Sequence, residues 1–285
     1  MDYREITCVQ ALNKLKRKIP YGWDLNIYRG CQHDCRYCYA MDSNRYLDSN
    51  APERTIFIKT NVVEQLEKQL SHPDWKRDII NIGGVTDSYQ PAEETFQLMP
   101  DILKLLIKYK TPAIISTKSD LILRDYDLID QLSRLTYVNV AATITTMDED
   151  LRGQIEPGAV ASARRFEMLR RFRQTNASVG LHLMPIIPFL TDSYQNLNDL
   201  CRWARDCIVH YVLPGTLYLR GRTRSSFFAF IKQSFPDLFE PLQFIYQTGG
   251  ASQSYKNTLY QTVNDLRDCY GLSSSYTKPM KEKMR

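Results

Sequence analysis

The sequence predicts an α/β fold, built as a partial (β/α)6 barrel with a helical cap at its C-terminal end. Three observations support this prediction. Apolar, β-branched runs alternate with amphipathic helical stretches, six such units follow one another, and the chain of 285 residues is close to the length of a TIM-like barrel. Hydrophobic residues make up 43% of the chain and charged residues 24%, which excludes disorder as its general state.

Six segments have the composition of buried parallel strands. They are apolar, rich in β-branched residues and separated by helical patterns. In chain order they are Trp23–Arg29, Asp78–Gly84, Pro112–Lys118, Tyr137–Thr145, Ala177–Pro185 and Val212–Arg220. Because strands that alternate with helices form βαβ units, we expect one parallel sheet.

Four intervening segments have apolar residues at the spacing of one helix face. They are Glu93–Tyr109, Asp125–Leu135, Ala159–Gln174 and Ser193–Ile208, the last with Ser193 as its N-cap. After about residue 226 the pattern is helical throughout. We therefore divide the chain into an N-terminal extension (1–20), a barrel core (21–225) and a helical extension that ends in a basic tail (226–285).

Polar residues follow most of the predicted strands at their carboxyl ends, where α/β folds place their chemistry. Three closely spaced cysteines follow the first strand. The other sets are Gly83, Gly84, Thr86 and Asp87 after the second strand, Thr117 and Lys118 at the end of the third, Thr143 and Thr145 at the end of the fourth, and Arg220, Arg222 and Arg224 after the sixth. Their convergence predicts one active site at this edge of the sheet.

The cysteine loop contains Cys31, Cys35 and Cys38, three of the seven cysteines. Thiolates at this spacing can hold an iron–sulfur cluster, and three of them leave one iron of a [4Fe–4S] cluster open to another ligand. Two alternatives remain open from the residues alone. One is a zinc site that adds His33, and the other is a redox dithiol of Cys35 and Cys38.

A Cys-x3-Cys-x2-Cys loop after the first strand of a parallel barrel resembles the radical S-adenosylmethionine (SAM) superfamily. The resemblance implies that these cysteines bind a [4Fe–4S] cluster whose open iron chelates SAM. Reductive cleavage of SAM then yields a 5′-deoxyadenosyl radical that abstracts a hydrogen atom. The resemblance also implies an electron donor such as flavodoxin or ferredoxin.

Further motifs resemble the spore photoproduct lyase-like branch of that superfamily over about residues 21–245. They are Asn26–Cys31 with Cys38–Ala40, Gly84–Pro91, Thr117–Ser119 with Arg124–Leu128, Thr143–Thr146 with Glu156–Gly158, and Met184–Pro188. This resemblance implies a nucleotide or nucleic-acid substrate and an activity of the DNA repair lyase or modification type. One departure is the lack of a cysteine among residues 85–88, where the lyase itself has its hydrogen-atom donor.

The same resemblance assigns residues to SAM. Gly83, Gly84 and Thr86 would receive its methionine end. Lys118 would pair with its carboxylate, and Thr143 would contact the methionine moiety or the ribose. A carboxylate bound to iron can still accept a charge-assisted hydrogen bond from an ammonium group, which agrees with the role given to Lys118.

Two tyrosines of the cysteine loop are also candidates. The resemblance places Tyr37 near the adenine of SAM. Tyr39 is either an aromatic residue of the barrel wall or a catalytic residue in hydrogen or radical transfer.

The predicted substrate residues are Arg220, Arg222 and Arg224, close to Tyr218. Arginine side chains suit phosphates, and a tyrosine can stack on a base. Net charge of +5 permits an anionic substrate but does not identify one. A basic surface loop is the plain alternative, as are a small-molecule or peptide substrate and a zinc-stabilised nucleic-acid-binding module.

No stretch approaches the ~20 apolar residues that a membrane span needs. The first residues, Met1–Glu5, are not followed by an apolar run of the kind found in secretory signals. We therefore expect a cytoplasmic protein without a membrane partner.

Overall fold

A computed structural model describes residues 2–16, 19–41 and 54–283 of the chain. The described residues form ten strands. These are β1 (Asp2–Ile6), β2 (Leu12–Lys14), β3 (Trp23–Leu25), β4 (Tyr28–Arg29), β5 (Thr55–Lys59), β6 (Ile80–Ile82), β7 (Ala113–Thr117), β8 (Val138–Thr143), β9 (Ser178–Ile186) and β10 (Tyr211–Thr216).

Seven of these strands form one sheet in the order β2-β3-β6-β7-β8-β9-β10. All neighbours run parallel except β2, which is antiparallel to β3 at the edge. This arrangement confirms the α/β class and the parallel sheet. The closure of the sheet into a partial barrel and the capping role of the C-terminal helices stay predictions.

The first predicted strand, Trp23–Arg29, is in fact two strands in two sheets. β3 joins the large sheet, whereas β4 pairs with β5 in a three-stranded sheet of order β1-β5-β4. The break falls at Asn26, whose carbonyl accepts a hydrogen bond from Lys59 Nζ at 2.6 Å and whose side chain accepts one from the Val85 backbone at 2.9 Å. These contacts, made by residues distant in sequence, interrupt the predicted strand between β3 and β4.

The described helices are α1 (Val62–Leu70), α2 (Ala92–Phe96), α3 (Leu98–Lys108), α4 (Tyr126–Leu135), α5 (Glu149–Ile155), α6 (Ser162–Phe172), α7 (Tyr194–Asp206), α8 (Gly221–Ser234), α9 (Phe239–Ile245), α10 (Gln253–Tyr270) and α11 (Thr277–Lys283). Ser193 caps α7 as predicted, with its hydroxyl accepting from the Asn196 backbone at 3.2 Å. The predicted helix Glu93–Tyr109 is broken at Gln97, which has a left-handed φ of 46°. None of the helices in the described ranges combines the length and apolar character that a membrane crossing needs.

The two faces of the large sheet have different surroundings. On one face, residues such as Val140 and Ala142 are fully buried in an apolar cluster with helix residues such as Phe166. On the other face, which we call the open face, Ser116 and His182 are only half-buried. Because successive residues of a strand alternate between faces, the open face carries the polar positions of these strands.

Candidate active site

The cysteine loop follows β4 in the sequence, and its three thiols lie close to one another. All three cysteines are free, and the backbone N–H of Cys38 donates to the Cys35 carbonyl at 3.1 Å in a tight turn. Burial raises the pKa of each thiol, to about 12 for Cys35. Beyond burial, the pKa of Cys31 is raised by the Asp87 carboxylate and by its two partner thiols, so these groups share one small volume.

This donor set fits an iron–sulfur cluster. Soft thiolates are its usual ligands, and a metal centre that binds these protonated thiols would displace their protons. Within the described ranges, no three His, Cys, Asp or Glu side chains surround the position of a single metal ion. A cluster does not require that convergence, because each thiolate binds a different iron atom.

His33 is not arranged as the fourth ligand of a zinc site. Its Nδ1 lies 3.0 Å from the Gly158 carbonyl oxygen, and its Nε2 lies 2.9 Å from Asp87 Oδ2. Both ring nitrogens are therefore used in hydrogen bonds that tie the cysteine loop to two other loops. A zinc site that used His33 as a ligand would have to break one of these two hydrogen bonds.

Asp87 joins three of the predicted site loops. Its buried carboxylate accepts hydrogen bonds from the Thr117 hydroxyl at 2.8 Å and from the Lys118 backbone N–H at 2.8 Å, in addition to the contact with His33. Burial opposes its ionisation, but His33 and the backbone donors outweigh that effect and lower the pKa of Asp87 to about 2. The sequence pointed to Asp87 as a polar residue after the second strand without indicating these partners.

A second buried carboxylate, Glu156, lies on the other side of the cysteine loop. It accepts hydrogen bonds from the Tyr37 hydroxyl, from Thr145 Oγ1 at 2.9 Å and from Arg165 Nη1 at 2.8 Å. Both partners of the ion pair with Arg165 have no exposed surface. Although burial opposes ionisation, Arg165 and Lys118 lower the pKa of Glu156 to about 2.

Lys118 lies beside the cysteine loop. Its Nζ is 5.7 Å from the centre of the Tyr37 ring. Burial opposes its charge, but Cys35 and Glu156 outweigh burial, and the pKa of Lys118 is raised. The ammonium group is therefore charged and close to the thiols. Its pairing with a SAM carboxylate stays a prediction, as does the contact of Thr143 with SAM.

The loop after β6 depends on its two glycines. Gly83 has a φ of 85°, in the left-handed region. A Cβ on Gly84 would lie 2.8 Å from the Asp24 carboxylate. Thr86 donates from Oγ1 to the Gly30 carbonyl at 2.5 Å, which fixes this loop to the start of the cysteine loop.

Tyr39 is largely exposed, with 69% of its surface accessible, yet its hydroxyl donates to the Gly84 carbonyl. The tyrosine thus spans the cysteine loop and the loop after β6. This position places it at the predicted site, while its catalytic role stays a prediction.

The predicted sixth strand ended at Arg220, but β10 ends at Thr216. Arg220 is the N-cap of α8, and Arg222 and Arg224 lie in its first turn. Arg220 and Arg222 are exposed. Arg224 instead donates to the Tyr246 carbonyl at 2.7 Å and to the Thr248 carbonyl at 3.0 Å, and so holds α8 to a neighbouring segment.

The start of α8 contacts the cysteine loop directly. The Thr223 hydroxyl donates to the Cys38 carbonyl at 3.0 Å. The exposed Arg220 and Arg222 therefore lie within three positions, along the sequence, of a residue that contacts the cysteine loop. Phosphate binding by these arginines stays a prediction.

Sequence reasoning missed His182, a half-buried residue of β9 on the open face. Burial and the charge of Lys118 lower its pKa to about 4. A single histidine inside a strand carries no motif. The one sequence pattern that marks it is its spacing of two residues from Gly180 and Met184, which places all three on the same face of β9.

A sequence model of the radical SAM superfamily matches residues 25–201, which include the cysteine loop, Lys118 and Glu156. The chain belongs to the radical SAM superfamily. It is therefore an enzyme of the radical SAM class, as the resemblance of its cysteine loop implied, and its family normally uses SAM together with a [4Fe–4S] cluster.

Relatives of this radical SAM enzyme occur in distant organisms. An uncharacterized protein of Mycobacterium tuberculosis is 32% identical over 282 residues, which is 97% of this chain and 83% of that protein. An uncharacterized protein of Methanocaldococcus jannaschii is 32% identical over 176 residues, or 61% of this chain and 64% of the relative.

Solved structures show the fold of this radical SAM enzyme in another protein. Spore photoproduct lyase complexed with a dinucleoside spore photoproduct superposes with a TM-score of 0.68 at 12% identity, covering 94% of this chain and 79% of the lyase. A lyase variant with bound SAM and the same ligand gives a TM-score of 0.67, covering 93% and 78% of the two chains. These superpositions confirm the mixed α/β fold with its parallel sheet.

Proposed function

We propose that this enzyme binds a [4Fe–4S] cluster through Cys31, Cys35 and Cys38, cleaves SAM reductively, and removes a hydrogen atom from a nucleotide or nucleic-acid substrate. The observation that carries the proposal is the grouping of three free thiols beside the charged Lys118, inside the region matched by the superfamily. When bound, the cluster and SAM would supply a carbon-centred radical for hydrogen abstraction that acid–base chemistry cannot perform.

The residues of this chain have three tasks in the proposal. Lys118 offers an ammonium group to the SAM carboxylate. Asp87 and Glu156 fix the cysteine loop from two sides through His33 and Tyr37. Because both carboxylates are buried and multiply hydrogen-bonded, the thiols are held in place before a ligand arrives.

The proposed substrate class rests on the positive charge at the start of α8. Arg220 and Arg222 are exposed there, and Tyr218, which forms an isolated β-bridge with Gly250 shortly before α8, exposes 59% of its surface. Guanidinium groups bind phosphates in a bidentate manner, and an exposed tyrosine can stack on a base. The lyase of the same fold holds a dinucleoside photoproduct, which supports a substrate of this chemistry.

The reaction on that substrate is proposed to be lyase-type DNA repair or a modification. Residues 85–88 hold no cysteine, so a hydrogen-atom donor from that loop is not proposed. A flavodoxin or ferredoxin would supply the electron, and we propose a cytoplasmic location for the reaction.

The experiment is an anaerobic assay of the reconstituted enzyme with dithionite, SAM and deuterium-labelled DNA, RNA or mononucleotides. We expect 5′-deoxyadenosine to form and to carry deuterium from at least one labelled nucleic acid or nucleotide. SAM cleavage without any deuterium transfer from these substrates would contradict the substrate class and favour a small molecule or peptide. No SAM cleavage at all would contradict the whole proposal.

A further inference from the structure

Three polar side chains form a chain of hydrogen bonds on the open face of the large sheet. They belong to three adjacent strands, His182 on β9, Tyr211 on β10 and Asn139 on β8. His182 Nε2 lies 3.2 Å from the Tyr211 hydroxyl, which donates to Asn139 Oδ1 at 2.9 Å. His182 is the partner of Thr143 in the β8–β9 register. The series of hydrogen bonds therefore begins next to a predicted SAM contact.

The Tyr211 ring occupies the space that a side chain at position 180 would need, so only glycine fits there. Tyr211 lies opposite Gly180 in the β9–β10 register. A Cβ on Gly180 would lie 2.0 Å from the Tyr211 ring carbon that bears the hydroxyl. The ring of Tyr276 also packs against Tyr211, with 6.0 Å between ring centres. The phenol hydroxyl is therefore held at one place between its two partners.

The hydrogen bonds determine which nitrogen of His182 carries the proton. Asn139 donates from its amide nitrogen to the Ser178 carbonyl at 3.4 Å, so its Oδ1 is the acceptor. The single hydroxyl proton of Tyr211 goes to that oxygen. The Tyr211 oxygen can then only accept from His182, which places the histidine proton on Nε2 and leaves a lone pair on Nδ1.

His182 Nδ1 is available to a ligand. Among the described residues, no hydrogen-bond partner of Nδ1 is found, and the side chain is half-buried on the open face. Burial and Lys118 lower the pKa of His182 to about 4, so the imidazole is neutral near pH 7. The same Lys118 charge disfavours a cationic donor, and a neutral N–H or O–H group is therefore the expected partner.

The surroundings of this acceptor favour a planar ring. Met184 and Leu213 are half-buried on the same face as His182, with Leu213 directly opposite His182 in the β9–β10 register. Thioether and aliphatic groups next to one fixed acceptor are the usual composition of a pocket for a heterocycle.

We propose that His182 is a specificity-determining residue whose Nδ1 accepts a hydrogen bond from the neutral ring N–H of a nucleobase, as found in thymine, uracil and guanine. The inference rests on the proposed function, because it assumes that a nucleotide enters this site. It adds to that function the base edge that is recognised and the residue that recognises it.

The test compares each nucleotide with the derivative in which a methyl group replaces the ring N–H hydrogen. Thymidine, uridine and guanosine monophosphates are titrated into the reconstituted enzyme with SAM, together with the derivatives methylated at the ring nitrogen. We expect at least one parent nucleotide to bind about tenfold more tightly than its methylated form, the amount that one hydrogen bond contributes. Equal binding of all parent and methylated pairs would overturn the proposal.

Variants of His182 distinguish the effect of its hydrogen-bond acceptor from the effect of its aromatic ring. His182→Asn places an amide oxygen near the position of Nδ1 and is expected to keep the preference for the unmethylated base. His182→Gln and His182→Phe lack an acceptor there and are expected to lose it, while His72→Phe, an exposed control, should keep it. Retained discrimination in both His182→Gln and His182→Phe would also overturn the proposal.

Formation of 5′-deoxyadenosine by the wild-type enzyme without nucleotide tests the radical chemistry separately. If the enzyme cleaves SAM but does not distinguish the methylated bases, only the role of His182 fails. If the enzyme cleaves no SAM, the proposed function fails first.

Discussion

At the residue scale, two buried carboxylates organise the site. Asp87 and Glu156 are both buried and each accepts several hydrogen bonds, and each connects the cysteine loop to a strand end. The sequence predicted where Lys118 and the cysteines would meet, because strand ends converge at one edge of a parallel sheet. It could not predict the pair of Glu156 with Arg165, since that contact depends on how α6 packs against the sheet.

The Glu156–Arg165 pair gives a stability prediction. Glu156→Gln would leave the Arg165 charge buried without its partner, so the free energy of unfolding should fall by about 3–5 kcal/mol. Denaturant unfolding measures the effect. Glu167→Gln, which breaks an exposed ion pair with Arg170 on the same helix, should cost less than about 1 kcal/mol. Similar losses in both variants would contradict the role of the buried pair.

The depressed pKa of His182 predicts a pH dependence of stability. Because the folded pKa is about 4 and an unperturbed histidine has a value near 6.5, the unfolded chain binds this proton first. The stabilisation is complete above about pH 6.5 and is lost as pH falls to 4, by about 3 kcal/mol.

Unfolding free energies of wild type and His182→Asn, measured from pH 4 to 7, isolate this contribution. The variant should have a shallower dependence on pH, whereas His72→Asn, at an exposed histidine, should follow the wild type. Parallel curves for wild type and His182→Asn would show that the histidine titrates normally in the folded protein.

At the element scale, the connection between α5 and α6 packs directly on the cysteine loop. The Gly158 backbone N–H donates to the His33 carbonyl at 3.0 Å, and Arg36 N–H donates to the Ile155 carbonyl at 2.9 Å. The six parallel strands were predictable from their apolar runs. The small sheet was not, because β1 pairs with β5 more than 50 positions away.

Close backbone contact at Gly158 predicts a defect specific to this loop. A Cβ there would lie 2.1 Å from the Gln32 carbonyl oxygen, so Gly158→Ala must separate the two segments. We expect a loss of roughly 1–3 kcal/mol in unfolding free energy, as for other overpacked sites, and less iron bound after reconstitution.

Gly153→Ala is the matched control for this change. Gly153 lies within α5, and a Cβ there would meet nothing within 4 Å. Alanine is the better helix former, so this variant should gain about 0.5–1 kcal/mol and bind iron normally. If Gly158→Ala behaved like the control, the close packing would not matter for the cysteine loop.

At the scale of the whole molecule, the chain brings residues from its N-terminal and C-terminal halves to one site. Thr223 of α8 contacts Cys38 across 185 positions of sequence. The sequence predicted arginines near the site but extended the sixth strand to Arg220. The residues just after Thr216 have the same strand-like composition as β10, although β10 ends at Thr216. The chain instead enters α8 at Gly221, and the first turn of this helix contacts the cysteine loop.

The position of α8 predicts the effect of Arg222 on nucleic-acid binding. Arg222→Ala should weaken binding of oligonucleotides and reduce the slope of log affinity against log salt by about 1, as expected for one lost phosphate contact. Arg202→Ala, an exposed residue of α7, should leave both quantities unchanged. Fluorescence anisotropy across a salt series measures them, and an unchanged Arg222→Ala variant would contradict phosphate binding at α8.

The central claim is that the three thiols of one loop hold the cofactor of a radical SAM reaction. The most direct measurement is iron, sulfide and 5′-deoxyadenosine per chain after anaerobic reconstitution of wild type, Cys35→Ala and the exposed-site control Cys269→Ala. We predict about four iron and four sulfide ions, with 5′-deoxyadenosine formed, for wild type and the control, and loss of the product in Cys35→Ala. A wild-type protein that binds zinc instead, or a Cys35→Ala variant that still forms 5′-deoxyadenosine, would contradict the claim.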